Sequence, residues 1–140
     1  MRDDEHDLSD VLWLHGTWRV LRVGDVDVAT GLDEPPWLTF DGDGVVFGHA
    51  GVNRVRGTWH VVEGAEPPDD APDAVVLAFG PVVATRMAGT PAATAAERAV
   101  LRVLETGGAL DRRDDGATLR ASDGRVTELR RDPGPTASAG

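Results

Sequence analysis

The sequence predicts a mainly β protein with one α-helix, a small antiparallel barrel with the helix packed against it. Three observations carry this. Short runs of alternating apolar and polar residues recur along most of the chain. Asp-Gly turns at Asp41-Gly42-Asp43-Gly44, Asp115-Gly116 and Asp123-Gly124 separate several of them, because Asp and Gly tolerate the backbone angles of tight hairpins. A single segment has helical periodicity. Regularly spaced short strands with one helix indicate a barrel or strongly curled sheet, and 140 residues suit one domain.

Leu12 to Val23 reads as the first strand, with Trp18 and Val20 on one face and Thr17 and Arg19 on the other. The adjacent Val20-Leu21 pair breaks the alternation and predicts a bulge or a two-sided strand. Val26 to Val28 is a short return strand, and Asp33 to Pro36 is a loop. Trp37 to Phe40 is a strand with Leu38 and Phe40 facing together, and Val45 to His49 returns from the turn that follows. Arg56 to Val62 is next, with Trp59 and Val61 on the face opposite His60. Ala74 to Phe79 is a strand. The helix runs from about Pro91 to Glu105. Thr90 is its N-cap and Pro91 its first residue, with Thr94 and Glu97 as an alternative capping box. Ala96, Ala99, Val100, Val103 and Leu104 form its apolar stripe, and Gly107 closes it. Strands near Leu110 to Arg113, Thr118 to Ala121 and Val126 to Arg131 complete the set.

The net charge is −10, and it is uneven. Residues 1–10 carry five acids against Arg2, and Glu63 to Asp73 carries five acids and no base. Asp132 adds one more acid in the tail and the remainder sums to zero, so the acidity is expected on flexible parts, 1–10 and a Pro/Gly-rich tail at 132–140 being read as disordered. An acidic chain without a basic stripe argues against nucleic-acid binding. No Cys is present, which excludes disulfides, thiolate nucleophiles and zinc–sulfur sites. The N-terminus has no basic n-region or apolar h-region, and no apolar run approaches the ~20 residues that span a bilayer. A cytoplasmic protein without membrane partners is the expectation.

Chemistry is sparsely signalled. Ser9, Ser122 and Ser138 occupy a terminus, a hairpin and a tail, with no nucleophile elbow. His6, His15, His49 and His60 lack metal-site spacing, although His49 and His60 could meet across neighbouring strands. The Asp41 to Gly44 turn lacks the later ligands of a calcium loop. The pairs Asp69-Asp70 and Asp114-Asp115 sit in loops with nothing to desolvate them. These readings predict neither catalysis, cofactor nor metal. Trp18 and Trp59 are read as core, Trp13 and Trp37 as candidates for a barrel mouth. Two segments read as structural joints. Gly48 to Arg54 combines two glycines with Asn53 and the nearby cations Arg54 and Arg56. Thr85 to Gly89 supplies a backbone-bonding Thr85, a core-filling Met87 and a turn at Gly89.

The order of motifs is informative. Leu14-x-Gly16-Thr17-Trp18 opens it. Leu38-Thr39-Phe40 leads into Gly48-x-x-Gly51-Val52-Asn53, and Gly57-x-Trp59 follows. Thr85-x-Met87-Ala88, a helix with Glu97 and Leu104, and Leu119-x-x-x-Asp123-Gly124 complete it. Over residues 11–131 this resembles the META domain of HslJ-like heat-shock proteins. That family usually has Cys after the second Gly and after Met-Ala, where Val52 and Gly89 stand here. Their joint loss is what a cysteine pair of exported members would leave in a chain kept in a reducing compartment. The resemblance implies a lipocalin-like antiparallel barrel, a stress-associated role and no established catalysis. On this reading Gly16, Thr17, Trp18, Gly48, Gly51, Asn53, Gly57, Trp59 and Met87 are structural. Asn53, Arg54, Thr85, Arg86 and Trp37 are the candidate binding groups, the partner being a protein or a small apolar ligand. The alternative is a small-molecule carrier using a barrel-end cavity.

Overall fold

The structure, a computed structural model, describes residues 12–132. The expectations for residues 1–10 and for the tail beyond Asp132 therefore lie outside the described residues. Leu12–Leu14 forms a 3-10 turn instead of the start of a strand. The strands are β1 (Gly16–Val23), β2 (Val26–Asp27), β3 (Trp37–Phe40), β4 (Val45–His49), β5 (Arg54–Val61), β6 (Val75–Phe79), β7 (Val83–Ala84), β8 (Gly108–Arg112), β9 (Gly116–Arg120) and β10 (Val126–Arg131). The helix α1 spans Pro91–Thr106.

Every pairing is antiparallel. Hydrogen bonds run from β1 through β3, β4, β5, β6, β8, β9 and β10 back to β1, closing an eight-stranded barrel. Closure leaves this circuit without open edges. The predicted irregularity is present: the β1–β10 register shifts between Val20 and Arg22. Alternation then sorts the faces, and Trp18, Val20 and Val23 are buried while Arg19 is exposed.

The interior is filled. Phe40 packs edge-on against Trp59 with centroids 5.8 Å apart, and Phe79 lies 6.3 Å from Phe40. Val100 and Val103 of α1 join Val20, Leu38, Phe40, Leu110, Leu119 and Leu129 around a residual void of about 10 Å³. That is at the threshold for one water, and its lining offers almost nothing for a water to bond.

The helix forms as its sequence directs. The Thr90 hydroxyl accepts from the Ala93 N–H at 3.1 Å, and the Gly107 N–H donates to Val103 O. Thr94 and Glu97 do not form a capping box. Ala96, Val100, Val103 and Leu104 are buried, as the stripe requires.

The loop from Glu63 to Asp73 is tied down more than its composition suggests. Asp70 receives two guanidinium bonds from Arg120, at 2.9 and 3.1 Å, and Ala71 and Ala74 pack with Ala109. Asp132 is likewise held, its N–H donating to Thr17 O. No helix among the described residues is long and apolar enough to cross a membrane.

Candidate functional site

The turn between β4 and β5 lies directly on the first turns of α1. Gly51 has φ +137°, and a Cβ there would sit 2.7 Å from Ala93 O. This close approach sets the Val52 and Asn53 N–H groups onto the Glu97 carboxylate at 3.0 and 2.5 Å. The Asn53 amide is buried and fully engaged. Its Nδ2 donates to Glu97 Oε2 at 2.8 Å and to Met87 O at 3.2 Å. Its Oδ1 accepts from the Met87 N–H at 2.6 Å and the Thr85 hydroxyl at 2.9 Å. Thr85 Oγ1 also accepts from the Arg54 N–H at 3.1 Å. One side chain thereby joins β5, the segment after β7, and the helix.

Burial, the largest single influence on Glu97, pushes its carboxyl up. The Asn53 side chain and the Asn53 and Val52 N–H groups, with the charge of His49, outweigh it and hold the group below its ordinary 4.5. A carboxyl lowered in the folded state contributes stability at pH above 4.5 and loses it as pH falls through the folded value. Chemical denaturation of the protein and Glu97→Gln across pH 3 to 7 is therefore expected to show a difference that shrinks on the acid side. A constant difference would remove Glu97 as the source.

Beside this knot lies a groove of about 740 Å³ between α1 and the segment around β7. Phe79, Leu101 and Leu104 give it an apolar floor, and Thr85, Arg86 and Glu105 stand at its margins. The structure thus brings Asn53, Thr85 and Arg86 together at one groove, as the sequence reading grouped them. Arg54 is on the outer face of β5, away from its lining. Trp37 is elsewhere, edge-on to Phe47 with its Nε1–H near Glu34 Oε2. Met87 is a correction: the residue is 68% exposed, not core-filling, and its backbone is what Asn53 holds. His49 and His60 do not meet either, since His49 pairs with Arg54 and His60 with Ala78. Among the described residues no group of three or more His, Asp or Glu is placed to hold a metal.

Glu97 is the residue that local reasoning misplaced. Its partners are 44 and 45 positions away. The available signal was a carboxylate beside Ala96 on the buried side of an otherwise apolar stripe, which demands a polar partner.

The other motif residues have structural work. Thr17 and Thr39 share a 2.6 Å hydroxyl bond across β1 and β3. A Cβ at Gly48 would lie 2.0 Å from Trp37 O, and one at Gly57 would lie 2.9 Å from Val82 Cγ2. Trp59 Nε1–H donates to Asp41 O. Trp18 Nε1–H donates to Leu14 O, and the Arg131 guanidinium lies 4.3 Å from the Trp18 ring while donating to the His15 and Trp13 carbonyls. Gly16 leaves room for that guanidinium.

Fold and site together define a small closed antiparallel barrel with one helix, whose polar residues lock a turn to that helix. The META domain family model matches residues 10–133, and the chain belongs to that family. Three solved structures share the fold. A protein from Burkholderia xenovorans, solved by NMR, is 20% identical with a TM-score of 0.64, over 91% of this chain and 89% of that one. A second NMR structure is 18% identical at TM-score 0.58, over 84% and 89%. A crystal structure of a DUF4847 family protein from Bacteroides vulgatus is 12% identical at TM-score 0.58, over 90% and 99%. Comparison with curated proteins finds no match.

The two positions where the family pattern has Cys are neighbours here. A Cβ built on Gly89 lies 3.3 Å from Val52 Cβ, close to the ~3.5–4.5 Å that a disulfide spans. The double variant Val52→Cys, Gly89→Cys is expected to oxidise spontaneously and to gain up to about 4 kcal/mol, because the bridge closes a loop of roughly 40 residues. Thiol titration and melting with and without reductant check this. Two free thiols under oxidising conditions would contradict the placement.

Proposed function

We propose that the protein is a non-catalytic, stress-associated accessory module of the cytoplasm that binds its partner in the groove between α1 and the β7 segment. The observation that carries this reading is the contrast between a filled barrel and an open groove. The interior void is about 10 Å³ and the groove about 740 Å³, a size in the range of ligand clefts. The polar groups beside the groove support binding over bond making. Asn53, Thr85 and Glu97 are spent on one another, and a carboxyl held below its ordinary value is a poor proton donor near neutrality. A carrier that encloses its ligand needs interior space that Phe40, Trp59 and Phe79 occupy.

An amide NMR titration with a panel of small amphipathic fragments tests the reading. Shifts are expected to cluster at Phe79, Ala84 to Arg86 and Leu101, and Leu101→Trp is expected to weaken them by covering part of the groove's apolar floor. Shifts centred instead on Leu38, Phe40 and Leu110 would favour an enclosed ligand, and an unresponsive groove would sink the proposal.

A further inference from the structure

The segment after β6 runs beside β5 in an alternating pattern that leaves half of its main chain open. Val55 opposes Ala84 and Arg56 opposes Val83. The Thr85 N–H donates to Arg54 O. In an antiparallel ladder, bonded pairs alternate with unbonded ones. Thr85 and Val83 therefore direct their N–H and C=O toward β5, and Ala84 directs its own away. Asn53 then extends the ladder by one step, because its side-chain amide pairs with the Met87 N–H and C=O as a strand would. Arg86, between Thr85 and Met87, consequently faces outward like Ala84. Among the described residues no hydrogen bond reaches the outward groups of Ala84 or Arg86. Both residues line the groove.

We infer that this edge is a docking strand, and that it takes an extended, basic peptide by main-chain pairing in the groove. The inference rests on the reading of the groove as the binding surface. Paired N–H and C=O groups at every second residue complement extended backbone. Barrel closure protects the eight strands of the circuit, whereas this edge lies off it and is left open. Side chains add a second match. Val83 and Met87 share one face of the segment, at 69% and 68% exposure, and are two of the four large apolar residues exposed among those described. An added strand would cover both. On the other side lie Leu101 and Glu105, and Glu105 has no ion-pair partner among the described residues. The groove lining carries Glu97 and Glu105 against Arg86, which favours a basic peptide, and the net charge of −10 repels a second copy of the chain.

Ala84→Pro separates this from other modes of groove binding. It removes an N–H that β5 does not use and places a ring on the open edge, a position where proline is tolerated. A random heptapeptide display library is panned on the full chain after depletion on Ala84→Pro, whose fold is first verified by melting and NMR. Enriched sequences are expected to alternate β-branched residues with Lys or Arg. They should bind Ala84→Pro at least about tenfold more weakly, Glu105→Gln several-fold more weakly, and slow amide exchange at Ala84 and Arg86 by about tenfold or more. Peptides that bind both proteins equally, without protecting those amides, would overturn strand pairing while leaving the groove reading intact. No enrichment would overturn the peptide assignment, the groove itself being judged by the fragment titration. A dimer in sedimentation that Ala84→Pro dissolves would give the edge to a second copy and likewise overturn it.

Discussion

Asn53→Ala is expected to cost about 3 kcal/mol and lower the melting temperature by roughly 10 °C, since each lost bond contributes about 1 kcal/mol and each stranded buried group costs more. Four hydrogen bonds disappear at once, to Glu97, Thr85 and both polar groups of Met87. The loss also leaves Glu97 with only two N–H donors, those of Val52 and Asn53. Thr85→Val removes the hydroxyl that donates to Asn53 and accepts from the Arg54 N–H, and is expected to cost about 1–2 kcal/mol, less than Asn53→Ala, so the pair of variants tests the network and not general fragility. Urea unfolding with unchanged slope measures both. If Asn53→Ala costs under 1 kcal/mol, the side chain is not the joint that ties β5, the β7 segment and α1 together.

Trp18→Ala is expected to cost about 4 kcal/mol, the range for removing a large buried aromatic. Trp18 is 2% exposed and does three things at once. It fills the core, it fixes Leu14 O through its ring N–H, and it backs the Arg131 guanidinium, which in turn holds the Trp13 and His15 carbonyls. Burial lowers the Arg131 pKa, with Arg112 adding to it, so the cation depends on the carbonyls and the ring around it. Trp18→Phe keeps much of the volume and loses the ring donor, and is expected to cost about half as much. Equal losses from Ala and Phe would mean that the hydrogen bond to Leu14, and not packing, dominates. A loss from Trp18→Ala below about 1.5 kcal/mol would mean that the 3-10 turn closes against the barrel without it.

How much was legible followed from the range of each interaction. Strand positions, the Val20-Leu21 irregularity, the Asp-Gly turns and the Thr90 cap were readable because each depends on residues within a few positions. The helix stripe was readable for the same reason, and its length was right to within one residue. The β7 strand was missed. Two residues give no alternation to detect, and β7 exists because Val55 and Arg56 present a ladder to it. Met87 was misread as core because its type suits a core. The residue is in fact fixed through its backbone, which carries no side-chain signature.

The sequence by itself determined the period of each segment, the turns between them, the single helix and the membership that its motif order announces. Those depend on local backbone preferences and on which faces are apolar. The tertiary structure decided that the barrel closes without usable space inside. It also decided that Glu97 answers to Asn53 and that Val52 abuts Gly89, and it left the Ala84–Arg86 edge open beside a groove. Each of these depends on groups tens of residues apart meeting within a few ångströms. Only the closed path of pairing, with α1 laid across it, sets those distances.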